Sequence, residues 1–326
     1  MEAYKELNSL LSKSLVELDL LFDKKPKELY DPQKYILSLG GKRIRPLLTL
    51  IGCDLFGGDA AKALHAALAV ELFHNFSLIH DDIMDKAPLR RGNATVHEKW
   101  NHNIAILSGD AMLVKAYQEL NKCAAEHLPP LLHLFNQTAI EVCEGQQLDM
   151  NFENQPHVTI DDYISMIGLK TAVLLGCSLQ MGGIIAGADK KQQELIYHFG
   201  REIGIAFQLK DDILDVYGQS EKVGKQNGGD IISNKKTFLL LKSFELANEK
   251  QKDELTLWLT KTEFDKTEKV AAIKKIYDQL EIKKVSEKEL TKHYTNAIQN
   301  LNSIKCDMAK QSNLLKFAES LVEREF

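Results

Sequence analysis

Two aspartate turns, Asp81-Asp82-x-x-Asp85 and Asp211-Asp212-x-x-Asp215, are the part of this sequence best suited to do chemistry. Each closes a long apolar run without proline, Asp59 to Lys86 and Glu194 to Leu209. On a helix, steps of seven and eleven residues return to nearly the same face, so His74, Asp81 and Asp85 stack in one column with Asp82 beside them. A buried helix does not line up ionised carboxylates unless a cation meets them. The helix macrodipole also disfavours acidic groups at a C-terminus, so helix formation gives no reason for them. One such turn would pass as a solvated acidic surface, whereas two at the same spacing point to a shared task. The calcium-loop pattern Asp-x-Asp-x-Asp-Gly is absent. Mg²⁺ fits better, because it takes one or two carboxylates and completes its octahedron with water and phosphate oxygens. The expected arrangement is a cavity with acidic walls on two sides, in which metal bridges a diphosphate.

Cations stand where such a ligand needs them. Gly40-Gly41-Lys42-Arg43-Ile44-Arg45-Pro46 joins a glycine turn to a helix start, with three basic side chains at an N-terminus that favours anions. Leu89-Arg90-Arg91-Gly92 follows the first aspartate turn, and adjacent arginines on a turn can point in different directions and serve two phosphates. An ordinary basic turn, or local pairing of the arginines with the aspartates, is the plainer reading of each. Gln208, three residues before Asp211, shares its helix face. Lys170-Thr171 opens an uncharged run, and Lys225 and Lys235 flank a glycine-rich stretch. Gly218 to Lys225 is a near miss for a phosphate-binding loop: it has one residue too many and follows a helix rather than a strand.

The elements that must position these residues are helices. Helical spacing recurs over residues 4 to 22, 103 to 126, 130 to 150 and 160 to 179, while the strand-former clusters of a sheet are missing. With 19 glycines, 7 prolines and no composition break, residues 1–326 read as one domain, an all-α bundle of about ten or more helices around a deep central cavity. A net charge of −5 gives no sign of a nucleic-acid surface. The charged N-terminus is no signal peptide, and five scattered cysteines suit reduced thiols in a cytoplasmic protein. Thr171 to Ala188 carries no charge over 18 residues, but its four glycines, Ser178 and Gln180 suit a buried helix broken near Gly182-Gly183 better than a membrane span.

From about Gly40 to Thr237 the motifs resemble, in order and spacing, those of the trans-isoprenyl diphosphate synthases: His80-Asp81-Asp82-x-x-Asp85, then Arg90-Arg91, then Phe207-Gln208-x-x-Asp211-Asp212-x-x-Asp215. The resemblance implies an isoprenoid-synthase-type fold, a homodimer, and head-to-tail prenyl transfer from an allylic diphosphate to isopentenyl diphosphate. It implies Mg²⁺, three ions with substrate bound, on Asp81, Asp82, Asp85, Asp211, Asp212 and Asp215. It assigns Lys42, Arg45, His74 and Arg91 to isopentenyl diphosphate, and Arg90, Lys170, Lys225 and Lys235 to the allylic diphosphate. Thr171 and Gln208 are implied near the reacting carbon. Gln226 and Leu239 stand where the family commonly has proline, which bears on the geometry of the lid they flank. In the family, the residues at Phe76 and Ser77 set product length: aromatic at both suggests a fifteen-carbon product, small at both suggests long chains. Phe76 with Ser77 is intermediate and favours geranylgeranyl diphosphate over farnesyl or longer products. A terpene cyclase would replace the second turn with Asn/Asp-x-x-Ser/Thr-x-x-x-Glu, and a non-catalytic subunit of a heteromeric synthase would lack some of these aspartates or lysines.

Overall fold

A computed structural model of the chain describes residues 4–218 and 228–323. Its helices are α1 (Lys5–Leu20), α2 (Lys27–Ser38), α3 (Ile44–Leu55), α4 (Leu64–Met84), α5 (Val96–Lys99), α6 (His102–Leu120), α7 (Leu128–Asn154), α8 (Ile160–Ile167), α9 (Val173–Ile185) and α10 (Lys190–Tyr217). After the undescribed segment come α11 (Gly229–Ile232), α12 (Phe238–Leu246), α13 (Glu249–Thr260), α14 (Lys266–Gln279), α15 (Ile282–Asn302) and α16 (Met308–Val322). Among the described residues, strand pairing is confined to a two-residue ladder, β1 (Leu89–Arg90) against β2 (Asn93–Ala94). The fold is all-α, as expected. The described chain groups into two compact units, Met1–Thr138 with Leu174–His198 and Leu301–Leu315, and Ala139–Val173 with Phe199–Asn300 and Lys316–Phe326.

In the first unit α4 is the buried element. Ala66, Ala67, Ala69, Val70, Leu72 and Phe73 lie within it at 1% exposure or less, as expected of a helix apolar nearly all round. Its end is a Schellman motif: the Ala87 N–H bonds to the Asp82 carbonyl and the Lys86 N–H to the Ile83 carbonyl, with Lys86 left-handed at φ 51°. Pro88 then prevents continuation. The chain turns back through β1 and β2, whose two connecting residues, Arg91 and Gly92, both have the positive φ that tight hairpins require.

The expected break at Gly182-Gly183 is absent, and α9 runs unbroken through it. These glycines serve packing instead. A Cβ on Gly182 would lie 2.2 Å from the Thr49 carbonyl, and one on Gly52 would lie 2.2 Å from that of Leu179, so α3 and α9 touch backbone to backbone. The interruption lies earlier, in a π-helical turn over Gly168–Ala172 between α8 and α9.

The second unit is built on two apolar clusters. One gathers Ile213 and Val216 of α10 with Leu255, Trp258, Ile273 and Tyr277 of α13 and α14. The other gathers Phe152, Tyr163, Ile167, Ile205, Leu209 and Phe238. The π-turn passes between two helices of this unit at glycines: a Cβ on Gly145 of α7 would meet the Lys170 nitrogen at 2.2 Å, and one on Gly204 of α10 would meet the Ala172 Cα at 2.6 Å.

Gly52→Ala tests the backbone contact in the first unit. Helix propensity alone would favour alanine by about 1 kcal/mol. The clash with Leu179 forces the two helices apart and outweighs that gain by about 1–3 kcal/mol. Thermal unfolding should therefore show a lower Tm, and an unchanged or raised Tm would contradict the contact.

Candidate active site

The aspartate turn of the first unit is held from within. Asp82 is 1% exposed, and the Arg90 guanidinium grips it as a fork, Nε to Oδ2 at 2.8 Å and Nη2 to Oδ1 at 2.7 Å. The same Nη2 reaches Asp81 Oδ2 at 3.4 Å. Burial raises the Asp82 carboxyl above its ordinary value, and the bond to Arg90 opposes that rise. Asp81 is partly exposed and Asp85 exposed. The hairpin turn sends the next residue elsewhere, since Arg91 donates through Nη1 to the Gly40 carbonyl. The two arginines diverge, as the turn chemistry predicts.

Arg91 thereby joins Lys42, Arg45 and His74 in a pocket of about 440 Å³ completed by Gly41, Arg43, Ile44 and Glu71. Gly41, at φ 128°, is required there, because a Cβ would lie 2.9 Å from the Arg91 guanidinium. Arg45 Nη1 lies 3.2 Å from His74 Nε2. Burial, then the cations of Arg45, Arg91, Arg90 and Arg43, hold the His74 imidazole well below its ordinary range. It is neutral at pH 7, so Nε2 accepts from Arg45 and the proton sits on Nδ1. The four residues assigned to one anion are thus brought together. Two partners had no local signal: Glu71 and Arg43 bond to each other across 28 positions, and Arg43 also bonds to the Leu37 carbonyl.

The aspartate turn of the second unit follows the same plan. Asp212 is 3% exposed; it accepts from the Tyr163 hydroxyl and from Gln208 Nε2 at 3.3 Å. Burial and the neighbouring Asp230 push its carboxyl well above the ordinary value. Asp211 and Asp215 are partly exposed, and Asp215 Oδ2 accepts the Asp230 N–H at 3.0 Å. Lys170, Thr171, Gln208, Asp212 and Lys235 line one pocket of about 460 Å³ with Asp149, Tyr163 and Asp230. Lys170 Nζ lies 2.6 Å from Asp149 Oδ2. Lys225 and Gln226 fall outside the described residues.

The donor set suits Mg²⁺. In each turn taken by itself it consists of carboxylates with no thiol or imidazole among them; Asp81 and Asp85 keep solvent access in the first unit, and Asp211 and Asp215 in the second. Among the described residues no three acidic, histidine or cysteine side chains form a ready metal cage.

Phe76 and Ser77 sit on α4 one turn before the aspartates. The Ser77 hydroxyl is turned back to the His74 carbonyl at 2.8 Å. The Phe76 ring packs edge-on to His80, centroids 4.8 Å apart, and against Phe73 at 5.6 Å. Phe73 in turn meets Phe135 at 5.3 Å.

The neutral His74 has a pH consequence. Its folded pKa lies below the unfolded value of about 6.5, so below that pH the unfolded chain binds a proton that the folded chain does not. Its stabilising contribution is full above pH about 6.5 and is lost below it, by up to about 1.4 kcal/mol per pH unit. Thermal unfolding at pH 8 and pH 5 should show a smaller acid-induced fall in Tm for His74→Gln than for the wild type. Equal falls would mean that His74 is not held neutral.

The Polyprenyl synthetase family pattern matches residues 26–280. A geranylgeranyl diphosphate synthase of Methanosarcina mazei is 41% identical over 229 residues, 70% of this chain and 71% of that protein. One of Sulfolobus acidocaldarius is 36% identical over 304 residues, 91% of each. A crystal structure of a geranylgeranyl pyrophosphate synthase superposes with a TM-score of 0.92 at 44% identity, over 98% of this chain and 99% of that one. The chain belongs to the polyprenyl synthetase family and is a trans-prenyltransferase.

Proposed function

We propose that this enzyme condenses isopentenyl diphosphate with an allylic diphosphate, head to tail, to give geranylgeranyl diphosphate. The observation that carries a two-substrate reaction is the divergence of Arg90 and Arg91. One is committed to the aspartate turn, where Mg²⁺ would hold one diphosphate, and the other to a separate cation pocket that suits a second, so the unit offers a second station. A cyclase acting on one diphosphate has no use for the second station. The relatives at 36–41% identity that are named geranylgeranyl diphosphate synthases support the product. A geranylfarnesyl diphosphate synthase at 37% and a farnesyl diphosphate synthase at 40% keep neighbouring lengths as the second reading.

In the mechanism we infer, Asp81, Asp85, Asp211 and Asp215 would hold Mg²⁺; Asp82 and Asp212, also expected as metal ligands, are engaged by Arg90 and by Tyr163 with Gln208, and anchor the two turns instead. Bound there, Mg²⁺ would supply charge neutralisation to the leaving diphosphate. Lys170, Lys235, Arg90 and Lys225 add to that neutralisation, so the allylic carbon–oxygen bond ionises. The Thr171 and Gln208 oxygens face the resulting allylic cation, and apolar walls keep water from it. Lys42, Arg45, His74 and Arg91 orient isopentenyl diphosphate, whose double bond attacks as the carbon nucleophile. A proton then leaves to the departing diphosphate, with no side-chain base required.

We read the whole chain as one catalytic domain working as a cytoplasmic homodimer. The outer face of α6, with Ile106 43%, Leu107 60% and Val114 57% exposed, supports a second copy as its cover. The stretch Ile160–Ile185 is apolar enough to cross a membrane, but 67% of its apolar window is buried in the protein.

Sizing the products made from isopentenyl diphosphate with each allylic primer tests the reading. EDTA should abolish turnover and Mg²⁺ restore it. Asp81→Ala and Asp211→Ala should each lower kcat by about 10²–10³-fold, with a double-variant loss smaller than the product of the two. Full activity without metal would overturn the mechanism.

Product length gives a second test. Phe76→Ala should lengthen the product and Ser77→Phe should shorten it, because one removes bulk beneath the first aspartate turn and the other adds it. Unchanged chromatographic profiles in both variants would place the floor elsewhere.

A further inference from the structure

The cation pocket of the first unit contains a carboxylate that no anion site should welcome. Glu71 is 2% exposed and lines the pocket beside Lys42, Arg45 and Arg91. One of its oxygens, Oε1, is committed to the protein. Arg43 Nη1 donates to Glu71 Oε1, and Arg43 Nη2 to the Leu37 carbonyl. Asn75, itself 1% exposed, donates through Nδ2 to the same Oε1 and to the Glu71 carbonyl, each at 2.8 Å. Arg43 also sits left-handed at φ 47° as the N-cap of α3, a conformation that costs an ordinary residue energy. The turn is therefore held by the fork of its own arginine against a buried acid. Lys42 immediately precedes Arg43, and Arg45 follows two residues later.

We propose that Glu71 and Arg43 are a paired positioning unit for the isopentenyl diphosphate site. Glu71 withdraws Arg43 from the anion and pins the Gly40–Arg45 turn, so that Lys42, Arg45 and Arg91 meet the diphosphate. The pair also sets selectivity. A fourth cation turned toward the anion would strengthen the hold on every diphosphate, including inorganic pyrophosphate, which the reaction releases. An unpaired Glu71 would repel all of them. Neither residue touches substrate in this role. The inference rests on the prenyl-transfer reading above.

The test is a double-variant cycle read as separate Michaelis constants. Arg43→Gln exposes the carboxylate and should raise KM for isopentenyl diphosphate by about tenfold or more, with KM for the allylic diphosphate changed less than about twofold. Glu71→Gln frees the guanidinium and should make inorganic pyrophosphate a several-fold tighter competitor of isopentenyl diphosphate. Arg43→Gln/Glu71→Gln buries no unpaired charge, so KM for isopentenyl diphosphate should fall well below that of Arg43→Gln, and the rise that remains over wild type reports the lost pin. A purely structural role would raise both constants together and leave the double variant no better than Arg43→Gln, and either result overturns the proposal. If Arg43→Gln does not fold, Arg43→Lys keeps the charge but loses the fork. It should show the same one-sided rise, and equal rises for both substrates again overturn the proposal. If the wild-type chain fails to join isopentenyl diphosphate to any allylic diphosphate, the functional reading falls. If the wild type turns over and the variants lack the split, only the clamp falls.

Discussion

A carboxylate buried at the end of an apolar helix needs a donor in front of it, and this chain meets that constraint twice. Asp82 is closed by the Arg90 fork, and Asp212 by the Tyr163 hydroxyl with Gln208. The inner aspartate of each turn is thereby occupied by the protein, while its outer neighbours keep solvent access. Much follows from the first of these contacts. Because Arg90 is committed to Asp82, the hairpin from Leu89 to Ala94 lies against the end of α4. With the hairpin so placed, Arg91 reaches the Gly40-Gly41 turn, where it completes a cation pocket. One charge-assisted fork thus sets the place of a second cation in a separate pocket.

What could be read from the sequence was what local spacing encodes. The aspartate turns, the adjacent arginines and the basic segment before α3 each lie within a few residues, and the helix pattern fixes which of them share a face. The partners that hold them do not. Tyr163 meets Asp212 across 49 positions, Lys170 meets Asp149 across 21, and Arg43 meets Glu71 across 28. Nothing in a periodicity links such pairs. Glycine is ambiguous in the same way. Gly182 reads as a helix breaker by composition, yet it sits in an intact helix because the α3 backbone needs the space. The real interruption at Gly168–Ala172 leaves the apolar pattern almost undisturbed and so has no sequence mark.

Helix α4 also shows how one element carries two unrelated demands. Its C-terminal turn presents carboxylates, while the turns before it bury almost everything they carry. Between these zones runs a row of rings: Phe73, Phe76 and His80 pack on one another down the helix, Phe73 meets Phe135, and Phe135 meets Tyr117. His80 leans on Gly109 of α6, where a Cβ would come within 2.4 Å of its ring. A stack of rigid rings resists compression better than aliphatic side chains of similar size, because each ring has few rotamers to yield into.

The π-turn at Gly168–Ala172 has a further implication, for chain length rather than residue identity. A π-turn holds one residue more than the α-helix it interrupts. Lys170 and Thr171 are carried on that extra residue's worth of backbone, wedged between Gly145 and Gly204. Exchanging a side chain there disturbs one contact. Deleting a residue instead shifts the phase of the helix by about 100°, so that Tyr163 and the lysine–threonine pair can no longer address their partners together. Within this segment, drift in sequence is a local matter, whereas a change of one codon in length rewrites every contact on one side of the turn.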